Sequence, residues 1–282
     1  MRARCWCSPA TAARRWTPGT CPRAPKCTPT SRRSRRSSRP ERGDEVIFLR
    51  SALFAFALVL LTPPWAVASL LTFPLPRLTR YRFISTWSRI MVYVARAVLG
   101  IHWRVEGLEH LPSRPAVILA NHQSAWETLA FQLIFPPQAW LLKRELLWIP
   151  FFGWGLALMS PIAIDRGRGV AALRSLARRG KERLAQGLWV VVYPEGTRMR
   201  PGKTGRFRVG GAWLAVESGA PVVPVAHNAG LVWPRNAFLK RPGTVTVRIG
   251  PPIETTGLDA EEVNARTRAW IEAQAAELCP GR

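Results

Sequence analysis

His122 and Glu127 lie five residues apart in the segment Ala120-Asn121-His122-Gln123-Ser124-Ala125-Trp126-Glu127. An imidazole with a carboxylate in reach is enough for a general base and the group that orients it, the carboxylate fixing the tautomer and stabilising the imidazolium that forms. Further along, Tyr193-Pro194-Glu195-Gly196-Thr197-Arg198 supplies a glycine-loosened turn ending in arginine. Arg198 offers a planar fork of donors, Thr197 a hydroxyl, and Gly196 a backbone that a ligand can approach closely, which together suit a phosphate. A base and an anion clamp suit acyl transfer to a phosphorylated alcohol: the alcohol must lose its proton as it attacks a thioester carbonyl.

Two competing chemistries are weaker. Ser124 could act as a covalent nucleophile, but it lacks the G-x-S-x-G elbow and sits only two residues from its supposed base, so direct attack by the alcohol is expected. Gly196 with Gly202-Lys203-Thr204 imitates a nucleotide phosphate loop but is spaced one residue too widely. His102, His110 and His227 read as structural histidines. Glu195 is better suited to orienting a base or hydroxyl than to touching phosphate, because like charges repel.

The elements that must hold these groups follow from apolar runs. Ala116 to Ala120 and Leu188 to Tyr193 read as buried strands that end at the two motifs, and strand ends carry the catalytic loops of α/β folds. Further strands are expected at Ala139 to Leu142, Pro161 to Ile164, Val222 to Ala226 and Val245 to Ile249. Helices are expected from Trp126 to Leu133, from Val170 to Gln186 ahead of Gly187, and from the Asp259 and Glu262 start signal to Leu278. Alternating strands and helices predict an α/β domain over 101–282.

Composition leaves room for one such domain and appendages: 282 residues, 48% hydrophobic. The net charge is +24. Residues 1–45 hold 12 Lys and Arg against 3 Asp and Glu, which leaves 29 against 14 for the rest, so the body is basic in its own right. Both nucleic acid and an anionic membrane attract such a body, but the sequence carries no nucleic-acid-binding fingerprint.

An apolar stretch decides for the membrane. Ser51 to Pro76 runs for 26 residues without a charge between Arg50 and Arg77. Pro63-Pro64 removes two backbone donors in its middle, and Ile47 to Leu61 spans only about 22 Å against a hydrocarbon core of about 30 Å. A bent, monotopic insertion of this run is therefore expected, ahead of a kinked span or a buried core helix, within a membrane-associating helical segment over 46–100. Arg82, Arg89 and Arg96 then recur every seven residues, opposite Ile84, Trp87, Met91, Val94 and Val98, as in an interfacial helix. Residues 1–45 combine Arg, Pro, Ser and Thr with few aliphatic side chains and are expected to be a disordered tail, or to precede a true start near Val46. Cys5, Cys7, Cys21 and Cys27 have no zinc-site spacing.

The two motifs, with Lys143-Arg144-Glu145-Leu146, Ile149-Pro150, Gly153 and Val223-Pro224-Val225 in order between and after them, make the chain resemble the glycerolipid acyltransferase family. Its signature is N-H-x-x-x-x-D followed by F-P-E-G-T-R, and the likeness is greatest to its 1-acyl-sn-glycerol-3-phosphate acyltransferases. It covers roughly Leu49 to Leu278 and departs at Glu127, where the family has Asp, and at Tyr193, where it has Phe. The resemblance implies His122 and Glu127 as catalytic residues, with Asn121, Lys143, Arg144, Glu195, Gly196, Thr197 and Arg198 binding substrate. It implies lysophosphatidic acid as acceptor, acyl-CoA or acyl-carrier protein as donor, an anionic membrane surface at the cytoplasmic face of the inner membrane, and no cofactor, metal or nucleic acid. Glycerol 3-phosphate or a lyso-aminolipid as acceptor, or a catalytically silent membrane-binding homologue, are the alternatives.

Overall fold

The computed structural model describes residues 42–164 and 169–280, all within one compact unit. The expectations placed on residues 1–41, including the four tail cysteines, lie outside the described residues. Two helices lead in. α1 is Arg42–Leu70, with Asp44 and Glu45 placed favourably in its first turn, and α2 is Arg77–Val94, extended by a π-turn at Ala95–Leu99.

The domain proper alternates strand and helix. β1 (Ile101–Glu106), β2 (Val117–Ala120), α3 (Trp126–Ile134), β3 (Gln138–Lys143), α4 (Phe152–Leu158) and β4 (Ile162–Ile164) come first. They are followed by α5 (Gly169–Ala185), β5 (Trp189–Val192), α6 (Gly210–Ser218), β6 (Val222–His227), β7 (Gly243–Ile249) and α7 (Ala260–Leu278). The seven strands form one sheet in the order β1-β7-β6-β2-β5-β3-β4. Every neighbouring pair is parallel except β6 with β7. This is the expected mostly parallel α/β sheet.

The central strands β2, β5 and β6 are buried throughout, as continuous Val-rich runs covered on both faces should be. One face packs on α5, α6 and α7 through Leu176, Leu214 and Val263. The other packs on α3 and on the two leading helices, where Phe54, Val92, Ala95 and Leu99 join Ile118, Trp126 and Val225 in one core. The Asp259 carboxylate accepts from the Glu262 amide at 2.7 Å, as its start signal predicts.

α1 corrects one expectation. Pro63 and Pro64 do not break it: a single helix runs through them, 29 residues long. Neither proline can donate to the carbonyls of Val59 and Leu60, but Thr62 Oγ1 donates to Leu58 O at 2.6 Å, and the long helical flanks carry the turn across the gap. By length and composition the helix could cross a membrane. Its first half is nonetheless fixed to the domain, because Ser51 Oγ accepts from the Lys240 amide at 3.0 Å and the Phe54 ring meets Trp233 edge-on at 5.2 Å. Most of its remaining surface, including Leu53, Phe56, Val59 and Leu60, is exposed. On α2 the expected stripe is present: Arg82, Arg89 and Arg96 are exposed, while Ile84 and Met91 are buried on the opposite side.

Candidate active site

β2, β5 and β6 are adjacent and parallel at their carboxyl ends, with Leu119 in register with Val192 and Ala120 with Val225. The chain therefore delivers Asn121-His122, Tyr193 to Arg198 and His227 to one edge of the sheet. At that edge His122 Nδ1 lies 2.8 Å from Glu127 Oε1. The same oxygen accepts from the amides of Gln123 at 3.0 Å and Ser124 at 2.8 Å. Glu127 is the second residue of α3, and its extra methylene lets the carboxylate fold back over the turn that opens the helix, so that one oxygen caps two amides and the imidazole together.

Glu127 is fully buried. Burial alone would raise its carboxyl, but the imidazoles of His227 and His122 and the Ser124 amide outweigh it and hold the group below the usual carboxylate value. A carboxylate acceptor requires that His122 Nδ1 carry the proton, which leaves Nε2 as the basic nitrogen of a side chain that lines the cavity. The ring is held flat: Tyr193 stacks on it with centroids 4.1 Å apart and planes 12° from parallel. Burial, reinforced by the Glu127 charge, pushes the Tyr193 hydroxyl well above its ordinary value, so it stays protonated.

Two motif residues serve the scaffold. Asn121 exchanges two bonds with the His227 backbone, Nδ2 donating to His227 O at 2.9 Å and Oδ1 accepting from His227 N at 3.0 Å. Glu195 clamps backbone: Oε2 accepts from the His122 amide at 2.8 Å and Oε1 from the Gly205 amide at 3.3 Å. The Met199 amide donates to His122 O at 2.7 Å, so the backbone on both sides of His122 is tied to the segment 195–199. Among the described residues, the cavity beside His122 is lined by Lys143, Gly196, Thr197 and Arg198 but not by Asn121, Arg144 or Glu195. Arg144 stands exposed on the 3-10 turn Arg144–Trp148.

Sequence reasoning missed one residue of the cavity wall, Arg235, and the nearness of one structural histidine to the pair. His227, read as merely structural, is buried with Nε2 donating to Asn121 O at 2.8 Å and 3.9 Å from Glu127 Oε1; burial pushes its imidazole below the usual value. Its place at the end of the strand that holds Val223-Pro224-Val225 was the available signal. Arg235 lines the same cavity and donates from Nη1 to Arg198 O at 2.9 Å. Nothing in its neighbourhood of the sequence marks it.

The cavity measures about 470 Å³. Its walls are mostly apolar: Trp65 of α1, Trp87 of α2, Leu129 of α3, and Trp140 and Leu142 of β3. Lys143, Arg198 and Arg235 supply cations. Such a space fits an amphiphile with an anionic head beside the base.

Glu195 also gives the site a pH signature. Burial raises its carboxyl to about 7, against the opposing pull of the His122 and Gly205 amides. A carboxyl raised on folding adds stability that is present below its unfolded value, near 4.5, and is lost as pH rises through about 7. Glu195→Gln cannot titrate, so its melting temperature should change less across that window than the parent's. Parallel curves would assign the dependence to other groups.

A histidine paired with a buried carboxylate at the carboxyl edge of a mostly parallel sheet, beside an apolar cavity with cations, has the parts that acyl transfer needs, and the chain belongs to the acyltransferase family, whose model matches residues 102–228. It is 45% identical over 237 residues to the 1-acyl-sn-glycerol-3-phosphate acyltransferase of Pseudomonas aeruginosa, covering 82% of this chain and 92% of that one. The enzyme of the same name from Saccharomyces cerevisiae is 32% identical over 236 residues, 78% of this chain and 74% of its own. The crystal structure of the 1-acyl-sn-glycerophosphate acyltransferase PlsC from Thermotoga maritima superposes with a TM-score of 0.71 at 25% identity, covering 85% of this chain and 98% of that one.

Proposed function

We propose that this protein transfers an acyl group from acyl-CoA or acyl-carrier protein to the sn-2 hydroxyl of lysophosphatidic acid, giving phosphatidic acid. The observation that carries the reading is the buried Glu127 carboxylate on His122 Nδ1, at the wall of a cavity that also holds Arg198. The acceptor hydroxyl gives its proton to His122 Nε2 as its oxygen bonds to the thioester carbonyl carbon. The carbon–sulfur bond then breaks, and the thiolate leaves with the proton that His122 returns. Glu127 stabilises the imidazolium between the two transfers. Arg198, with Thr197, Lys143 and Arg235, holds the phosphate, and Glu195 and Asn121 fix the loop that carries the base. The exposed apolar surface of α1 keeps the enzyme at the membrane, where its acceptor is dissolved.

The test is to incubate the purified protein with lysophosphatidic acid, glycerol 3-phosphate and a lyso-aminolipid, each with both donors, and to read products by mass spectrometry. Phosphatidic acid from the first acceptor is expected; product from another acceptor alone overturns the assignment. Arg198→Ala separates acceptor from donor. A charge-assisted hydrogen bond contributes about 1.5 to 3 kcal/mol, so the Michaelis constant for lysophosphatidic acid should rise roughly tenfold to a hundredfold, with that for acyl-CoA little changed. Equal effects on both would make Arg198 structural.

A further inference from the structure

A second exposed apolar segment belongs to the domain proper and lies beside the leading helices. From the end of β3 into the first turn of α4 the chain exposes Leu146, Trp148, Ile149, Phe151, Phe152 and Trp154, with Trp148 77% accessible. The segment holds a definite shape. A Cβ on Gly153 would fall 2.4 Å from Leu147 O, so only glycine permits the turn, and the Phe151 and Trp154 rings lean together at 4.9 Å. Phe151 is held at a φ of 63°, a conformation unusual for a bulky residue. A soluble domain has little reason to present large apolar side chains in a fixed projecting turn unless something covers them.

We infer that the 146–154 turn is a lip that inserts into the interfacial layer of an anionic bilayer, as a second attachment beside the apolar stretch of α1. Three observations select a lipid surface. Ile149, Pro150 and Phe151 share a groove with Val59 and Pro63, and Val59 is 68% exposed, so the lip continues the apolar surface of the helix. Exposed Lys143 and Arg144 stand immediately before it, and cations followed by tryptophans match the layering of headgroups over acyl chains. Phe151 and Phe152 also line the cavity beside His122, and Phe152 meets Trp87 of α2 edge-on at 6.2 Å. Seated in the interface, the lip brings the cavity rim to the depth at which a single-chain lipid lies, so that such a lipid passes in without entering water.

The experiment uses the full chain with Trp148→Cys as the labelled position, Cys5, Cys7, Cys21 and Cys27 changed to Ser, and Cys279→Ala. An environment-sensitive fluorophore at 148 is read with vesicles of mixed phosphatidylcholine and phosphatidylglycerol, with and without nitroxide-bearing lipid. A control label is placed at Glu254→Cys, which adjoins Ile253 and its bridge to Val222, at the edge of the sheet remote from His122. Position 148 should shift to the blue and be quenched by the lipid nitroxide, while the label at 254 does neither. A label at 148 that stays water-like on vesicles overturns the lip. So does a blue shift that needs no lipid and grows with protein concentration, since a second copy would then cover the surface. In the unlabelled chain, Trp148→Asp with Ile149→Asp should weaken vesicle binding roughly tenfold with an unchanged circular dichroism spectrum; unchanged binding counts against the lip as well. None of these readouts needs turnover, so they stand or fall apart from the proposed reaction.

Discussion

His122→Ala is expected to lower turnover by roughly a hundredfold to ten-thousandfold, the range that general-base catalysis supplies. The chain should still fold, because the structural ties at this position run through backbone: the His122 amide to Glu195 and the His122 carbonyl to the Met199 amide. Alanine keeps both. What it removes is the imidazole between Glu127 and the cavity, and with it the ring against which Tyr193 stacks. Single-turnover rates with saturating donor and acceptor, alongside a melting curve, make the measurement. A loss below tenfold in a folded variant would leave the hydroxyl to be deprotonated by something other than His122.

Glu127 gives the second large effect, and it separates charge from shape. In Glu127→Gln the amide oxygen can still accept from His122 Nδ1 and from the Gln123 and Ser124 amides, so the ring keeps its orientation while the negative charge that stabilises the imidazolium disappears. Turnover should fall by about two orders of magnitude or more with little change in acceptor binding. Glu127→Asp keeps the charge but shortens the reach by about 1.5 Å. One oxygen then cannot satisfy all three donors unless the turn over 122–125 moves inward, so the variant should lie between Gln and the parent. Equal rates in Asp and Gln variants of equal stability would remove the charge from the mechanism.

The same residue shows why motifs were easy to find and their roles harder to assign. The spacing from His122 to Glu127 is local, and a strand end followed by a helix start dictates that the two side chains meet. The resemblance implies Asn121 and Glu195 as substrate-binding because they sit inside the motifs, although the charge of Glu195 already argued for an orienting role. Their bonds go instead to the backbone of His227, His122 and Gly205, partners fixed only once β2 lies between β5 and β6. Arg235 arrives at the cavity from a loop with no periodic pattern at all.

Six of the seven strands were legible: most are unbroken apolar runs, as parallel strands buried on both faces should be, and β7 shows as an alternation of apolar and polar residues. β1 was not: Ile101-His102-Trp103-Arg104-Val105-Glu106 is an edge strand whose polar residues hide it. α6 was missed because it opens with Gly210-Gly211, poor helix formers. There packing overrides propensity, since a Cβ on Gly211 would lie 2.5 Å from Leu119 Cδ2 of β2. The continuity of α1 was missed for the opposite reason: a sound local rule about proline gave way to long helical flanks.

α1 supplies Thr62, Trp65, Ala66 and Ser69 to the wall of the cavity. A shortened version made for convenience in aqueous buffer would therefore not be the same catalyst minus its anchor. Trimming the helix opens the chamber along one side, exposes the faces of Trp87 and Leu129 to water, and leaves Lys240 without its bond to Ser51. Detergents reach the same structure from the other direction, since an extracting molecule has one apolar tail and a polar head and so has the shape of the acceptor proposed for this chamber. Easy handling and an intact binding chamber trade against each other in this chain, and kinetic comparisons between variants hold only at matched detergent.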